Sequence, residues 1–153
     1  ISLHEMQADH PVILNATLSI RPFLVPHRDE FSETVGFEID KGKQKVTFIP
    51  DIDKWKKFDR NIDSLVKGSY YSFLDGTFYK DGELVGRPMS EVPHPFITES
   101  MEQFQSLSVA DKKKIYFIHF NHTNPLLNES SPEYKKLNQV FHTAKQGGIY
   151  PIE

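Results

Sequence analysis

The chain has 153 residues, of which 38% are hydrophobic, 12% aromatic and 25% charged, with a formal net charge of −3 at pH 7. That is enough for one domain with its own core, and the slight acidic surplus argues against nonspecific binding to nucleic acid or to an anionic membrane. Cysteine is absent, which excludes disulfides, thiolate metal sites and a cysteine nucleophile, so any metal must be held by His, Asp or Glu.

In chain order, HPVILNATLSIRPFLVPH (10–27) is rich in β-branched and apolar residues and predicts two strands joined by a turn at Asn15. ETVGFEID (33–40) and KVTFIP (45–50) flank KGKQ, a hairpin with glycine at its turn. The period then changes. In DIDKWKKFDRNIDSLVKG (51–68), Ile52, Trp55, Phe58, Ile62, Leu65 and Val66 recur at three- and four-residue steps, which predicts an amphipathic helix closed by Gly68 as its C′ residue. SYYSFLDGTF (69–78) predicts a strand, and a loop runs from Lys80 to Pro95. TESMEQFQSL (98–107) predicts a helix with Thr98 as its N-cap. KKKIYFIHF (112–120) predicts a buried strand, and SSPEYKKLNQVFHTAKQGG (130–148) predicts a helix with a serine cap and Pro132 at the first helical position. The closing IYPIE allows one more strand. Hairpins followed by alternating strand and helix make an α/β layered pattern with a mixed sheet. No apolar run approaches the length of a membrane span, and with the acidic surplus neither a membrane nor a nucleic acid is expected as partner.

Three polar residues end apolar strands: His27 after FLVP, Asp75 after YSFL and His119 after YFI. In layered α/β folds ligand and catalytic groups gather where strands end and loops begin. Two imidazoles and a carboxylate suit zinc, iron or manganese. Each position also has a plainer reading. A histidine after an apolar strand commonly makes one backbone hydrogen bond, Asp-Gly is a turn former, and His94 sits between prolines.

The strings FLDGTFY, PHPFITES and FIHFNHTNPLL together resemble the C-terminal half of the PqqB family of pyrroloquinoline quinone biosynthesis, within the metallo-β-lactamase superfamily. VPHRDEFSETVGFEI is similar to the third-histidine region of the tRNase Z-like branch. The resemblance implies the C-terminal half of a metallo-β-lactamase-like αββα sandwich. It implies His27, Asp75 and His119 as metal ligands, with Asp75 bridging two ions, and His94 as a substrate-facing general acid. Asn121, Thr123 and Asn124 would shape the site wall. His122 stands where members of the family more often carry Asn. The implied activity is hydrolysis of an ester or phosphodiester-type small molecule by water activated on one or two zinc ions. Its alternatives are iron-dependent oxidative chemistry in quinone-cofactor biosynthesis and a metal-free binding protein on the same fold.

The superfamily's His-x-His-x-Asp-His segment does not occur in these residues, and no two histidines stand two apart. The expectation is therefore half of a metal centre, weak or no metal binding by this chain alone, and a sheet face covered by an N-terminal half, a partner chain or a second copy. The compartment is left open between bacterial cytoplasm and periplasm. Arg87, in VGRPM, is in place to meet an anionic substrate. Lys112–Lys114 are read as solvating a strand entry, Trp55 and Phe58 as core, and the Asn15, Asn121 and Asn128 sequons carry no functional reading without a secretory signal.

Overall fold

The computed structural model describes residues 3–86 and 88–152. Seven strands form one sheet in the order of the chain: β1 (Val12–Asn15), β2 (Leu18–Leu24), β3 (Val35–Lys41), β4 (Gln44–Ile49), β5 (Tyr71–Asp75), β6 (Ile115–Ile118) and β7 (His142–Thr143). β1 to β4 pair antiparallel, and β4 to β7 pair parallel. Asn15 makes the first turn, its side chain accepting from the Thr17 N–H at 2.9 Å. Gly42, with φ +61°, makes the β3–β4 turn in the left-handed region open to glycine. Because β2 and β4 are each antiparallel to β3, the strands β2, β4, β5 and β6 all end on the same edge of the sheet.

The parallel half needs crossovers, which carry α1 (Ile62–Gly68), α2 (Ile97–Gln103), α3 (Val109–Lys112) and α4 (Pro132–Leu137). Crossovers between successive parallel strands share one hand, so they stack on one face. There Ile62 and Val66 of α1, Ile97 of α2 and Leu137 of α4 join Ile49, Leu74, Ile115 and Phe117 of the sheet in a single core. The opposite face carries a row of rings in register, Phe37 beside Phe48, Phe73, Tyr116 and His142. These side chains are half-buried, and Tyr150 lies across them, 5.0 Å from Phe73 and 5.1 Å from Tyr116 between ring centres.

Several elements differ from the sequence expectation. Residues 51–68 are not one helix but a 3-10 turn at Trp55–Lys57 and a separate α1. Phe58 is extended, and Asn61 restarts the helix by accepting from the Ser64 N–H at 2.9 Å. The apolar spacing survives because both pieces face the same core, with Ile52 and Val66 fully buried. Gly68 is the last helical residue, not a left-handed cap, and Ser69 follows in extended conformation. Thr98 lies inside α2. The cap is Phe96, whose N–H donates to the Glu99 carboxylate at 2.8 Å. The 130–148 segment is helical only over α4. Ser131 and Pro132 start it as expected, but the Asn138 side chain accepts from Thr143 N–H at 3.1 Å, which turns the chain into β7. The described part of the closing IYPIE forms no strand.

Candidate metal centre

Four residues at the centre leave the same sheet edge, and a fifth comes from a loop. His27 follows β2, Asp51 follows β4, Asp75 ends β5 and His119 follows β6, while His94 arrives from the long loop before α2. Ligands in open α/β sheets sit outside the carboxyl ends of strands, where rigid backbone meets loops that leave room. One ligand atom each from Asp51, Asp75, His94 and His119 lies within 4.8 Å of all the others, a spacing one ion can bridge. His27 stands beside this group, its Nε2 3.1 Å from Asp51 Oδ1 and its ring 5.5 Å from that of His94.

The turn Asp75-Gly76-Thr77 organises the site. Asp75 is fully buried, and its Oδ1 accepts from the Thr77 N–H at 2.8 Å and the Thr77 hydroxyl at 2.7 Å. Its Oδ2 accepts from the Ile52 N–H at 3.1 Å and meets His94 Nδ1 at 2.8 Å. The Thr77 hydroxyl also reaches His119 Nδ1 at 3.0 Å. Glycine is required at 76: a Cβ there would come 2.9 Å from Phe117 Cβ and 3.0 Å from the Phe120 ring. Asn124, 2% exposed, donates to the carbonyl oxygens of Gly76 and Thr77 at 2.8 and 3.2 Å. Asn124 therefore fixes the turn from behind. Asn121 lines the cleft beside the site, and its side chain donates to Thr123, which donates to Glu83 at 3.0 Å. Arg87 lies outside the described residues. His119 has φ +62°, in the left-handed region that non-glycine residues rarely occupy. That turn ends the strand and swings the imidazole towards Thr77 and not along the sheet, a local strain of the kind found at functional sites.

Two electrostatic features follow. Burial disfavours charge on His94, but the Asp75 hydrogen bond and the negative charges of Asp75, Asp51 and Asp53 outweigh it and raise its pKa above the ordinary 6.5. By contrast, His27 Nε2 and Asp51 Oδ1 are buried, face each other at 3.1 Å, and lack the geometry of a hydrogen bond to each other or to any other group among the described residues. An unmade bond at two such atoms costs free energy unless something else satisfies them.

Asp51 has no role in the sequence expectation, because the periodicity of 51–68 puts it at a helix start. Its signal was the one that exposed the others, an apolar strand (VTFI) ending in a carboxylate after Pro50. Thr77 lies in the FLDGTFY string, two residues after Asp75, and the sequence expectation gives it no role of its own.

The fold is the metallo-β-lactamase fold. It superposes on Zn2+-bound PqqB from Methylobacterium extorquens with a TM-score of 0.71 at 21% identity, over 91% of this chain and 48% of that one. It also matches the metallo-β-lactamase fold protein YhfI from Bacillus subtilis, with a TM-score of 0.58 at 15% identity, over 90% and 49%. The chain belongs to the beta-lactamase superfamily domain family, whose model matches residues 1–120. Within it the chain is PqqB-like. It is 28% identical over 167 residues to coenzyme PQQ synthesis protein B of Xanthomonas campestris pv. campestris, covering 92% of this chain and 54% of that protein. It is 30% identical over 151 residues to the protein of that name from Xanthomonas oryzae pv. oryzae, covering 81% and 48%. The chain thus spans about half the length of the curated relatives it matches.

Proposed function

We propose that this chain supplies part of the catalytic centre of a metal-dependent hydrolase, with zinc as the metal. The carrying observation is the buried pair His27 Nε2 and Asp51 Oδ1, two lone-pair donors that face each other without a hydrogen bond. Imidazole nitrogen and carboxylate oxygen are zinc ligands by type, and His119 adds a third from the same sheet edge. Asp75 was the ligand implied by resemblance. Here its oxygens already accept from Ile52 and Thr77, which favours Asp51 as the carboxylate that reaches a metal and Asp75 as the partner of His94.

A bound zinc ion lowers the pKa of its water towards 7 and polarises a carbonyl or phosphoryl oxygen. The protein's own residues do the rest. Asp75 fixes the His94 ring through Nδ1 and holds a proton on it, leaving Nε2 as the atom that donates to a leaving oxygen. Thr77 ties His119 and His94 to the same carboxylate, so the three side chains are oriented as a unit. The relatives named for coenzyme PQQ synthesis favour a role in making that cofactor, on a small-molecule substrate. Because the chain spans about half of those relatives, the aromatic row on the outer sheet face is the surface on which a further β-layer packs, from an N-terminal half, a partner chain or a second copy.

Cobalt(II), a zinc substitute whose absorption reports its ligands, tests the assignment. Titrated into the full chain at high concentration, it should give a visible spectrum that is lost in His27→Ala and Asp51→Asn and kept in His94→Ala. No cobalt spectrum in the unaltered chain, or one indifferent to Asp51→Asn, would overturn the reading.

A further inference from the structure

A cleft of about 310 Å³ opens beside the metal centre. Its floor is shared with the site, through His27, Thr77 and His94. Its far wall is different. Leu84 and Val92 line it together with Phe78, and Phe78 and Val92 belong to a small second core with Met89 and Phe96 that stands apart from the main one. This wall is consequently fixed and apolar. At the rim, Arg28 donates from Nη2 to the Glu91 carbonyl oxygen at 2.8 Å. That bond engages one of five guanidinium donors and holds the group against the same loop that builds the apolar wall. Among the described residues lining the cleft, Arg28 is the only permanent cation and no carboxylate is present.

The neighbourhood gives that cation a purpose. Asp51 and Asp75 lie behind that floor, against His27 and His94, and their negative charge would repel an anion entering from solvent. A guanidinium pinned at the entrance offsets them and presents a planar fork suited to carboxylate or phosphate oxygens. We infer that the cleft takes a small ester or phosphoester with an apolar body and an anionic group, and that Arg28 is the specificity residue that binds the anionic group while Leu84, Val92 and Phe78 hold the body. This rests on the hydrolase reading for the reaction, but the binding step stands apart from it.

Binding to the full chain without added metal is the test, by isothermal titration with phenyl phosphate, inorganic phosphate and benzyl alcohol as probes. Phenyl phosphate should bind more tightly than either partial probe, since it alone has both parts. Arg28→Gln should weaken phenyl phosphate about tenfold to a hundredfold, the worth of one or two charge-assisted hydrogen bonds, and leave benzyl alcohol unchanged. Arg28→Lys should recover part of the loss. Leu84→Ser should weaken phenyl phosphate and leave inorganic phosphate alone. Equal phenyl phosphate affinity in Arg28→Gln and the unaltered chain, or no binding to the unaltered chain, overturns the inference. Cobalt uptake by Arg28→Gln should equal that of the unaltered chain. If cobalt uptake is absent throughout while phenyl phosphate still depends on Arg28, the metal reading fails and the binding inference stands.

Discussion

Replacing Asp75 by alanine should cost far more stability than its place in an Asp-Gly turn implies. The side chain is fully buried, and four donors from three separate segments converge on it: the Ile52 N–H, the N–H and hydroxyl of Thr77, and His94 Nδ1. Alanine removes the acceptor and strands both backbone N–H groups in the interior, at roughly 1–3 kcal/mol each, besides the lost bonds to the Thr77 hydroxyl and to His94. The sum is about 4 kcal/mol, a large fraction of the roughly 5–15 kcal/mol typical of a folded domain. Asparagine in its place keeps one carbonyl oxygen but turns an NH2 towards the remaining donors, so Asp75→Asn should lose about 2 kcal/mol. Urea unfolding measures both values, with the emission of Trp55 as probe. It is the sole tryptophan, 8% exposed, and donates to Ser100 Oγ at 2.8 Å. A loss below about 1 kcal/mol for Asp75→Ala, at unchanged m-value, would refute the idea that this carboxylate ties the β4 exit to the β5 turn.

Two further changes probe other parts of the fold. Gly36→Ala would put a Cβ 2.6 Å from Phe23 Cζ and 3.1 Å from Ile49 Cγ1, both of them fully buried side chains. Overpacking of this kind should cost about 2 kcal/mol in the same urea assay, and an unchanged midpoint would mean that β2 and β3 can separate freely. The pKa of His142 is held below 6.5 by burial and then by the nearby Lys113 charge, against a backbone hydrogen bond that favours the charged form. The folded state therefore refuses a proton that the unfolded chain accepts, and stability should fall as pH drops below 6.5. His142→Gln should reduce that fall, read as the difference between urea midpoints above and below that pH. Identical slopes in both proteins would exclude His142 as a contributor.

What was legible in the sequence was whatever depends on local order along one segment. Runs of β-branched, aromatic and apolar residues in 12–24, 35–49 and 115–118 produced strands, because such side chains pack well on a pleated, buried surface. Ser131-Pro132 started a helix because capping is settled within one turn. Three motif strings were enough to indicate the family, and His27, Asp75 and His119 lie at strand ends on the sheet edge that carries the candidate site. The lengths of helices were not legible in that way. Residues 51–68 and 130–148 keep helical spacing, yet each is broken where a side chain offers the backbone a better partner, at Asn61 and at Asn138. Spacing records which residues face the core, and two short pieces can satisfy it as well as one helix.

The division of labour within the site was decided by tertiary structure alone. Asp51 and Asp75 are both carboxylates after apolar strands, and the Asp-Gly-Thr string marks Asp75 as the ligand, not Asp51. Folding directs the Ile52 N–H and the Thr77 donors onto Asp75, and leaves Asp51 facing His27 across 3.1 Å with no hydrogen bond. Likewise Arg28 gains its place at the cleft only through the carbonyl of Glu91, sixty-three residues further on. Sequence sets which chemistry a strand end can offer. Which of those groups remain open to a metal or a substrate depends on hydrogen bonds between segments far apart in the chain, and these exist only once the sheet has brought its strand ends to one edge.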